Sequence, residues 1–306
     1  MDAKITRKRL SDFLAYEWIV IIIAIAVGIF AWEAVFSLSG VKLTAGQTFN
    51  ILYYKGVKPD TNLALAVGDD TFSYDMLGGA VSEDASYTDS TLYGKVDAFM
   101  ADVLITTENN VCTIIDNRKV CDLGTLYTSA KAYVDYFYDG ETINEDRVRE
   151  KFLERLGKDN RFKTEEQKAA GVKAEIGRIE KLKTDVDELG GFLAADNDDL
   201  YFRYTRFKNV YENAEESSKE TYRGYYETEI AEGRENLVYG LTVSNLKGGP
   251  HDATEYFKLE DGLAEDTEIV MILFDQREIN GKENALFYEA VSFYCKVLKL
   301  CGNYIA

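Results

Sequence analysis

An apolar segment near the start of the chain constrains its architecture more than any other feature. From Trp18 to Leu38, Glu33 is the only charged residue. A helix needs about 20 mostly apolar residues to cross the hydrocarbon core of a bilayer. Trp18 and Trp32 lie near the two ends of the segment, where indole rings favour the membrane interface. Residues 18–38 are therefore predicted to form one transmembrane helix in contact with the lipid bilayer.

The charges that flank this segment predict its orientation. Only Lys42 follows it closely, whereas four basic residues precede it: Lys4, Arg7, Lys8 and Arg9. Because positive flanks stay on the cytoplasmic side, residues 1–17 are predicted to be a cytoplasmic basic tail. The protein would then be a single-pass cell-membrane protein. Residues 39–47 would be a linker, and residues 48–306 an extracytoplasmic domain.

A cleavable signal peptide is the alternative interpretation of the same segment. The small residues of Ser37–Gly40 suit signal peptidase, but the apolar run is long. Trp32, Glu33 and Phe36 also crowd the approach to the cleavage point. Both interpretations place residues 40–306 outside the cytoplasm.

Charge and aromatic content restrict the partners of the chain. The net charge is −18, and the part after the apolar segment carries it. Such an acidic surface repels nucleic acid at long range, so we expect no nucleic-acid partner. The chain contains 21 Tyr and 16 Phe, which suit the edge of a core as well as a ligand cleft.

The sequence contains no recognisable catalytic, cofactor or metal motif. His251 is the single histidine, which excludes multi-His zinc sites and disfavours a His-based triad. His251 and Glu255 can share a helix face, but no third ligand accompanies them. The segment "DNDDLYFRY" lacks the glycine and the final glutamate of a calcium loop. We therefore predict no catalytic residue, no metal, no cofactor and no enzymatic activity.

Cysteine count leaves several thiol states open. The four cysteines are Cys112, Cys121, Cys295 and Cys301, and an even number in an exported chain permits disulfides. The simplest connectivity is local. Cys112–Cys121 would close a short loop, whereas Cys295 and Cys301 are six residues apart on poorly matched faces of a predicted helix. Long-range pairing and buried free thiols are the alternatives.

Hydrophobic periodicity predicts an α/β domain. Residues 78–90 are predicted to be a loop, and residues 125–233 are predicted to be helical throughout. Within them, Thr164–Gln167 is a capping box that opens a helix ending at about Leu189, before Gly190. The predicted strands are rich in β-branched and aromatic residues: 48–57, 103–107, 236–245 and 268–276. This order predicts a sheet shared by strands from both ends of the domain, with a helical middle lobe at about 125–233.

Polar residues follow two of these strands. Thr106, Thr107, Glu108 and Asn109 end the buried strand "VLITT" and begin a helix, and Ser244 and Asn245 follow "VYGLTV". Open α/β sheets bind ligands at the carboxyl ends of parallel strands. These six residues are therefore predicted to bind a ligand, although helix caps and ordinary loops use the same residue types.

Several segments resemble the extracytoplasmic solute-binding proteins, which have the periplasmic-binding fold. The similar pieces are "FNILYYKGV", "KVDAFMADVLITTENNVCTIIDNRKVCDL", "LVYGLTVSN", and "EIVMILFDQ" followed by "ALFYEAVSFYCKVL". Single-span membrane-anchored proteins of Gram-positive bacteria are similar as well. The resemblance implies a periplasmic-binding-like α/β ectodomain that captures or senses a small polar solute or peptide. The alternative is a structural or regulatory ectodomain that docks on a partner membrane protein and binds no small molecule.

Overall fold

The computed structural model describes most of the chain after residue 47 and a short helical part before it. The described residues are 22–23, 25–32, 48–58, 63–64, 66–67, 80–86, 88–156, 162–195, 197–279, 281–302 and 304. The chain forms two compact units, Met1–Lys42 and Leu43–Ala306.

The first unit is described only in part. Residues 22–23 and 25–32 are helical. Among the described residues, no helix has both the length and the apolar character to cross a membrane. The predicted tail 1–17, the linker 39–47 and the remainder of the predicted span 18–38 lie outside the described residues. The transmembrane helix therefore stays a prediction.

In the second unit, the described residues contain one seven-stranded mixed sheet. Its strands, numbered along the chain, are β1 (Thr48–Tyr54), β2 (Ala80–Ser86), β3 (Val103–Thr107), β4 (Val120–Cys121), β5 (Tyr201–Tyr204), β6 (Leu237–Thr242) and β7 (Ile269–Phe274). The order across the sheet is β2-β1-β3-β7-β6-β5, and β4 also pairs with β7. β1 is parallel to β2 and β3, whereas β7 is antiparallel to β3, β4 and β6. β5 is antiparallel to β6.

The helices cover both faces of this sheet. Those with described bounds are α1 (Asp89–Asp97), α2 (Glu108–Asn117), α3 (Leu123–Asp135), α4 (Glu145–Leu156), α5 (Glu165–Ala194), α6 (Lys208–Glu212), α7 (Glu216–Ala231), α8 (Ala285–Tyr288) and α9 (Ala290–Cys301). Short 3₁₀ turns lie at Asp198–Leu200, Val243–Asn245 and Ala253–Glu255. Three two-stranded ribbons pair Val57–Lys58 with Lys258–Leu259, Tyr138–Asp139 with Thr142–Ile143, and Glu278–Ile279 with Lys282–Glu283.

Strand β7 shows why the domain has three layers. Its six residues are all buried, and successive side chains of a strand point to opposite faces. Ile269, Met271 and Leu273 pack in a core cluster with α3, α5, α8 and α9. Val270, Ile272 and Phe274 pack in a second cluster with α1 and α2. A strand that is apolar on both faces requires cover on both sides, which the helices provide.

The predicted α/β class and the shared sheet are confirmed, with two corrections to the elements. The predicted loop at 78–90 contains β2, an edge strand whose polar sequence "AVSEDAS" carries no strand pattern and which forms by pairing with β1. The prediction of helix throughout 125–233 was wrong at 201–204, where β5 pairs with β6, and at 138–143, where a two-stranded ribbon forms. The helices of this predicted lobe pack on the central sheet, since α3 and α5 share a core cluster with β7.

Helix α5 begins as predicted and ends later than predicted. Thr164 is its N-cap, and the capping box with Gln167 is formed in both directions. The helix continues past Gly190 to Ala194. At Gly190 a Cβ atom would come within 2.7 Å of the Tyr127 ring of α3. This glycine therefore permits two helices to approach closely and does not end the helix.

Two other glycines of α5 offer a matched test of its packing. Replacing Gly177 by alanine is expected to raise the free energy of unfolding by about 0.5–1 kcal/mol, since a Cβ there meets nothing within 4 Å. Replacing Gly171 by alanine is expected to lower it by about 1–3 kcal/mol, because the new Cβ would overlap the Phe152 ring of α4. Urea unfolding of both variants measures the difference. Equal stabilities would contradict the described contact between α4 and α5.

All four cysteines lie within the described residues and are free thiols. The Cys112–Cys121 disulfide that the sequence permits is not formed. Cys112 packs against the core cluster on the α1–α2 side of the sheet, whereas Cys121 belongs to the cluster on the other side. Burial raises the pKa of the Cys112 thiol to about 11. The thiols therefore serve as small apolar side chains.

Candidate functional site

The residues predicted to bind a ligand meet at one edge of the sheet. Thr107, at the end of β3, is opposite Ile269 of β7 in the ladder. The Ile269 backbone N–H donates to Ser244 Oγ at 3.1 Å. Ser244 and Asn245 therefore lie beside Thr106 and Thr107, at the carboxyl ends of the parallel strands. The fold thus brings together the residues that follow β3 and those that follow β6, although they are far apart in the sequence.

Most polar groups of these residues are engaged within the protein. Thr106 is fully buried, and its hydroxyl donates to the Lys55 carbonyl at 3.3 Å. Asn110 Nδ2 donates to Thr106 Oγ1 at 3.2 Å and to Thr107 Oγ1 at 2.9 Å. Asn245 Nδ2 donates to the Asp199 carbonyl at 3.0 Å. These side chains hold the loops of the sheet edge together.

Glu108 and Asn109 line a small cavity of about 450 Å³ beside α2. Asp116, also of α2, lines it too, and burial raises the pKa of this carboxyl. Asp116 accepts hydrogen bonds from the Tyr204 hydroxyl at 2.9 Å and from the Phe207 backbone N–H at 2.7 Å. The second bond holds Phe207 at φ 62°, in the left-handed region. Asp116 therefore has a structural task in this cavity.

A larger cavity, of about 700 Å³, lies at the opposite edge of the sheet. It adjoins the end of β7, where the Phe274 N–H donates to the carbonyl of Asp102, just before β3. We name it the aromatic cavity after four of its lining residues, Tyr133, Tyr136, Phe137 and Tyr288. The other lining residues come from α3, α4, the ribbon at 278–283 and the residues next to β4 and β7.

The aromatic wall is a packed set of rings. Tyr133 of α3 and Tyr288 of α8 are stacked, with ring centroids 4.3 Å apart and an interplanar angle of 19°. Phe137 meets Tyr133 edge-on at 5.2 Å and Tyr136 edge-on at 5.0 Å. Such ring pairs fix one another beyond simple area burial. The cavity therefore has a rigid apolar wall.

Charged side chains of both signs complete the lining. Among the described lining residues, three are basic, Lys119, Lys151 and Arg277, and three are acidic, Asp275, Glu278 and Glu283. Asp275 binds Arg277 through two parallel hydrogen bonds of 2.8 and 2.6 Å. The Tyr288 hydroxyl donates to Glu283 at 3.3 Å. The cavity is thus locally balanced in charge within a strongly acidic protein.

A buried ionic network, formed by Arg155, Glu175, Arg178 and Glu289, lies behind the aromatic wall. Arg178 is 1% exposed, and its Nε and Nη2 donate to the two oxygens of Glu175 at 2.8 and 2.7 Å. Its Nη1 donates to Glu289 at 2.5 Å, and its Nη2 also donates to the Tyr133 hydroxyl at 2.8 Å. Arg178 therefore ties the Tyr133 ring to the residue that follows Tyr288.

Arg155 of α4 completes this network. It pairs with Glu175 and donates to the Tyr133 hydroxyl at 3.2 Å. Burial alone would raise the pKa of Glu175, but the two guanidinium groups lower it to about 2. Burial raises the pKa of Glu289, against the opposing effect of Arg178. Residues of α3, α4 and α5 and the N-cap residue of α9, Glu289, are thus joined in one hydrogen-bonded network.

One group of three potential metal ligands exists among the described residues. Oxygen and sulfur atoms of Asp185, Glu188 and Cys295 lie within 4.8 Å of one another. The Ser292 hydroxyl donates to Asp185 at 2.5 Å, and Lys299 pairs with Glu188 at 2.6 Å. A serine and a lysine thus already engage the two carboxylates. His251 contacts Glu255 at 3.1 Å, which leaves this predicted pair as an exposed local contact.

Two sequence runs that line the aromatic cavity were not among the predicted ligand-binding segments. The charged run "FDQREINGKEN" follows the entirely apolar strand β7, and the tyrosine-rich run "AYVDYFYDG" ends α3. Each run alone is an ordinary polar or aromatic loop. Only the tertiary fold brings Arg277 and Glu283 to the same cavity as Tyr133 and Tyr136.

Comparison of the chain with profiles of known protein families, with curated proteins and with solved structures finds no match. The resemblance to solute-binding proteins therefore stays a prediction. Function has to be inferred from the geometry of the chain's own residues.

Proposed function

We propose that the protein is a membrane-anchored extracytoplasmic binding module that captures or senses a small polar solute or peptide in the aromatic cavity. The observation that carries this proposal is the cavity itself. Its volume of about 700 Å³ suits a small ligand, since ligand pockets measure roughly 300–1,000 Å³. Its mixture of fixed rings and a few charged groups is the composition expected of a site that orients a polar molecule.

Rigidity behind the cavity supports a binding function. Arg178 holds Tyr133 through its hydroxyl, and it holds the start of α9 through Glu289. A site fixed before the ligand arrives loses less conformational entropy on binding. The buried network therefore has a physical role in recognition, although it does not reach the ligand.

The anchor and the periplasmic-binding-like fold are part of the same proposal. Large apolar side chains are exposed along the described helical residues 22–23 and 25–32, among them Ile25, Phe30 and Trp32. A helix that is apolar on all sides suits a membrane. The mixed sheet contains three neighbouring parallel strands, β2, β1 and β3. This arrangement supports the proposed periplasmic-binding-like fold. The proposal involves neither catalysis nor a cofactor.

The alternative is a docking ectodomain that binds no small molecule. An apolar stripe on α5 that includes Ile179, Leu182 and Val186 would be its natural contact surface if that stripe were exposed. Ile179, Leu182 and Val186 are instead 0–2% exposed and belong to the main core cluster. The described structure thus favours the binding module over docking through α5.

A thermal-shift screen of the full chain in detergent micelles tests the proposal. The ligands are amino acids, sugars, short peptides, nucleosides and calcium. A ligand at a hundredfold excess over its dissociation constant is expected to stabilise the fold by about 2.7 kcal/mol. No shift with any class, on a cooperatively unfolding sample, would overturn the proposal.

Two variants then test the location of the site. Ala132 is exposed at the cavity wall, so Ala132→Trp is expected to abolish the shift by filling the cavity. Thr128→Trp is the control, because Thr128 is exposed on the same helix outside the lining. An undiminished shift in Ala132→Trp would show that the ligand binds elsewhere.

A further inference from the structure

We propose that the aromatic cavity recognises a zwitterion, a ligand with an ammonium group and a carboxylate on one short skeleton. Free α-amino acids and short peptides with free ends have this chemistry. The inference rests on the proposed binding function and adds the ligand class to it. Its basis is the placement of the charged groups around the rigid aromatic wall.

Arg277 supplies the side of the cavity that binds the carboxylate. Asp275 occupies one edge of its guanidinium through Nε and Nη2, at 2.8 and 2.6 Å. This pairing fixes the plane of the group and leaves the outer Nη1–Nη2 edge for a second carboxylate. Within the described residues, Nη1 of Arg277 makes no hydrogen bond, and the side chain is 42% exposed. Lys119 also lines the cavity and adds a positive charge. Its backbone carbonyl accepts from the Asp275 N–H at 2.8 Å.

Glu283 supplies the side that binds the ammonium. Its carboxylate accepts from the Tyr288 hydroxyl at 3.3 Å, which uses one of about four acceptor positions. The remaining positions can accept from an ammonium group. Burial and Glu283 raise the pKa of Tyr288, whereas Arg277 lowers it. Both charged side chains line the same cavity as this phenol.

Charge balance favours a zwitterion over other polar ligands. The six charged lining residues sum to zero, in a chain whose net charge is −18. A simple anion or cation would pair with lining charges of one sign and leave those of the other sign without a ligand partner. A neutral sugar would leave both sides without a counter-charge.

The aromatic wall accounts for the remainder of the ligand. Tyr133 and Tyr288 present stacked rings, and Phe137 closes the wall at an edge. An apolar or aromatic ligand side chain would pack there. We therefore expect L-phenylalanine and L-leucine to bind more tightly than glycine.

Calorimetric titration of the full chain in detergent micelles tests the ligand class. The probes are L-phenylalanine and the dipeptide L-alanyl-L-phenylalanine, with glucose and adenosine as other solutes. N-acetyl-L-phenylalanine lacks the ammonium, and L-phenylalanine amide lacks the carboxylate. Each blocked compound is expected to bind at least about tenfold more weakly than L-phenylalanine, a loss of about 1.4 kcal/mol. The tighter of the two zwitterions distinguishes a free amino acid from a peptide.

Variants assign each charge to its partner. Arg277→Lys keeps the pair with Asp275 but loses the planar outer edge. This variant is expected to bind L-phenylalanine at least tenfold more weakly and to bind the amide with unchanged affinity. Glu283→Gln is expected to weaken L-phenylalanine similarly and to leave the N-acetyl compound unchanged. Lys282→Met, exposed beside Glu283 and outside the lining, is the control.

The outcomes separate the ligand class from the binding function. Binding of glucose or adenosine without binding of either zwitterion would overturn the ligand class and leave the binding function standing. Equal affinity for L-phenylalanine and its blocked forms would also overturn the ligand class. Absence of binding by every probe, and by the wider screen, would overturn both.

Discussion

Replacing Arg178 by methionine is expected to lower the free energy of unfolding by about 3–5 kcal/mol, the usual cost of breaking a buried ion pair. Arg178 is 1% exposed and makes hydrogen bonds to Glu175, Glu289 and Tyr133. Methionine fills a similar volume but leaves the Glu289 carboxylate buried without its guanidinium. Glu175 keeps Arg155. The loss therefore comes mainly from uncompensated charge.

Urea unfolding of the full chain in detergent micelles measures this effect. Lys183→Met is the matched control, because Lys183 lies on the same helix and its pair with Asp187 is exposed. That change is expected to cost less than about 0.5 kcal/mol. If Arg178→Met does not fold, Arg178→Lys keeps the charge and is expected to give an intermediate loss. A loss for Arg178→Lys no larger than the control would contradict the network.

The Asp102→Asn variant is expected to remove a large pH dependence of stability. Asp102 is 5% exposed, and burial raises its pKa to about 7, against the opposing effect of two hydrogen bonds from Asn50. An unfolded aspartate titrates near pH 3.9. The folded state thus holds the proton more tightly. The Asp102 carboxyl therefore stabilises the fold fully below about pH 4, and this contribution is lost as the pH rises through 7. At 1.36 kcal/mol per pKa unit, the loss is about 4 kcal/mol at most.

Asparagine keeps an acceptor for Asn50 and carries no charge. The free energy of unfolding of Asp102→Asn, relative to that of the wild type, should therefore increase as the pH rises from 4.5 to 8. Urea unfolding at several pH values measures this difference. Asp261→Asn is the control, since the Asp261 side chain is 99% exposed. Parallel stability curves for Asp102→Asn and the wild type would show that the carboxyl titrates normally.

Strands could be predicted from the sequence where they are buried, because buried strands have a recognisable pattern of apolar residues. β1, β3, β6 and β7 are rich in β-branched or aromatic residues and form most of the sheet. β2 has no such pattern, because an edge strand with a polar sequence depends on its neighbour. β5 is a four-residue strand between helical segments, and its pairing with β6 decides its conformation.

Residues of the candidate site were harder to predict because they depend on contacts between distant elements. In α5, the charged residues Glu175 and Arg178 are buried together with the apolar residues Ile179 and Leu182. Helical spacing alone would place these two charges in the core. Their partners, however, come from α3, α4 and α9. Spacing within one helix cannot identify them.

Strand β7 also determines when the domain can be completed during synthesis. Its residues, 269–274, lie between β3 and β6, and it pairs with both. Within the described sheet, β3 and β6 do not pair with each other. The ribosome synthesises the chain from its amino end. Strands β1, β2 and β3 are therefore synthesised long before β7, the strand that pairs with β3. The part of the sheet formed by β2, β1 and β3 can join the part formed by β6 and β5 only after β7 has been synthesised. Among the described strands of this sheet, β7 is the last to be synthesised.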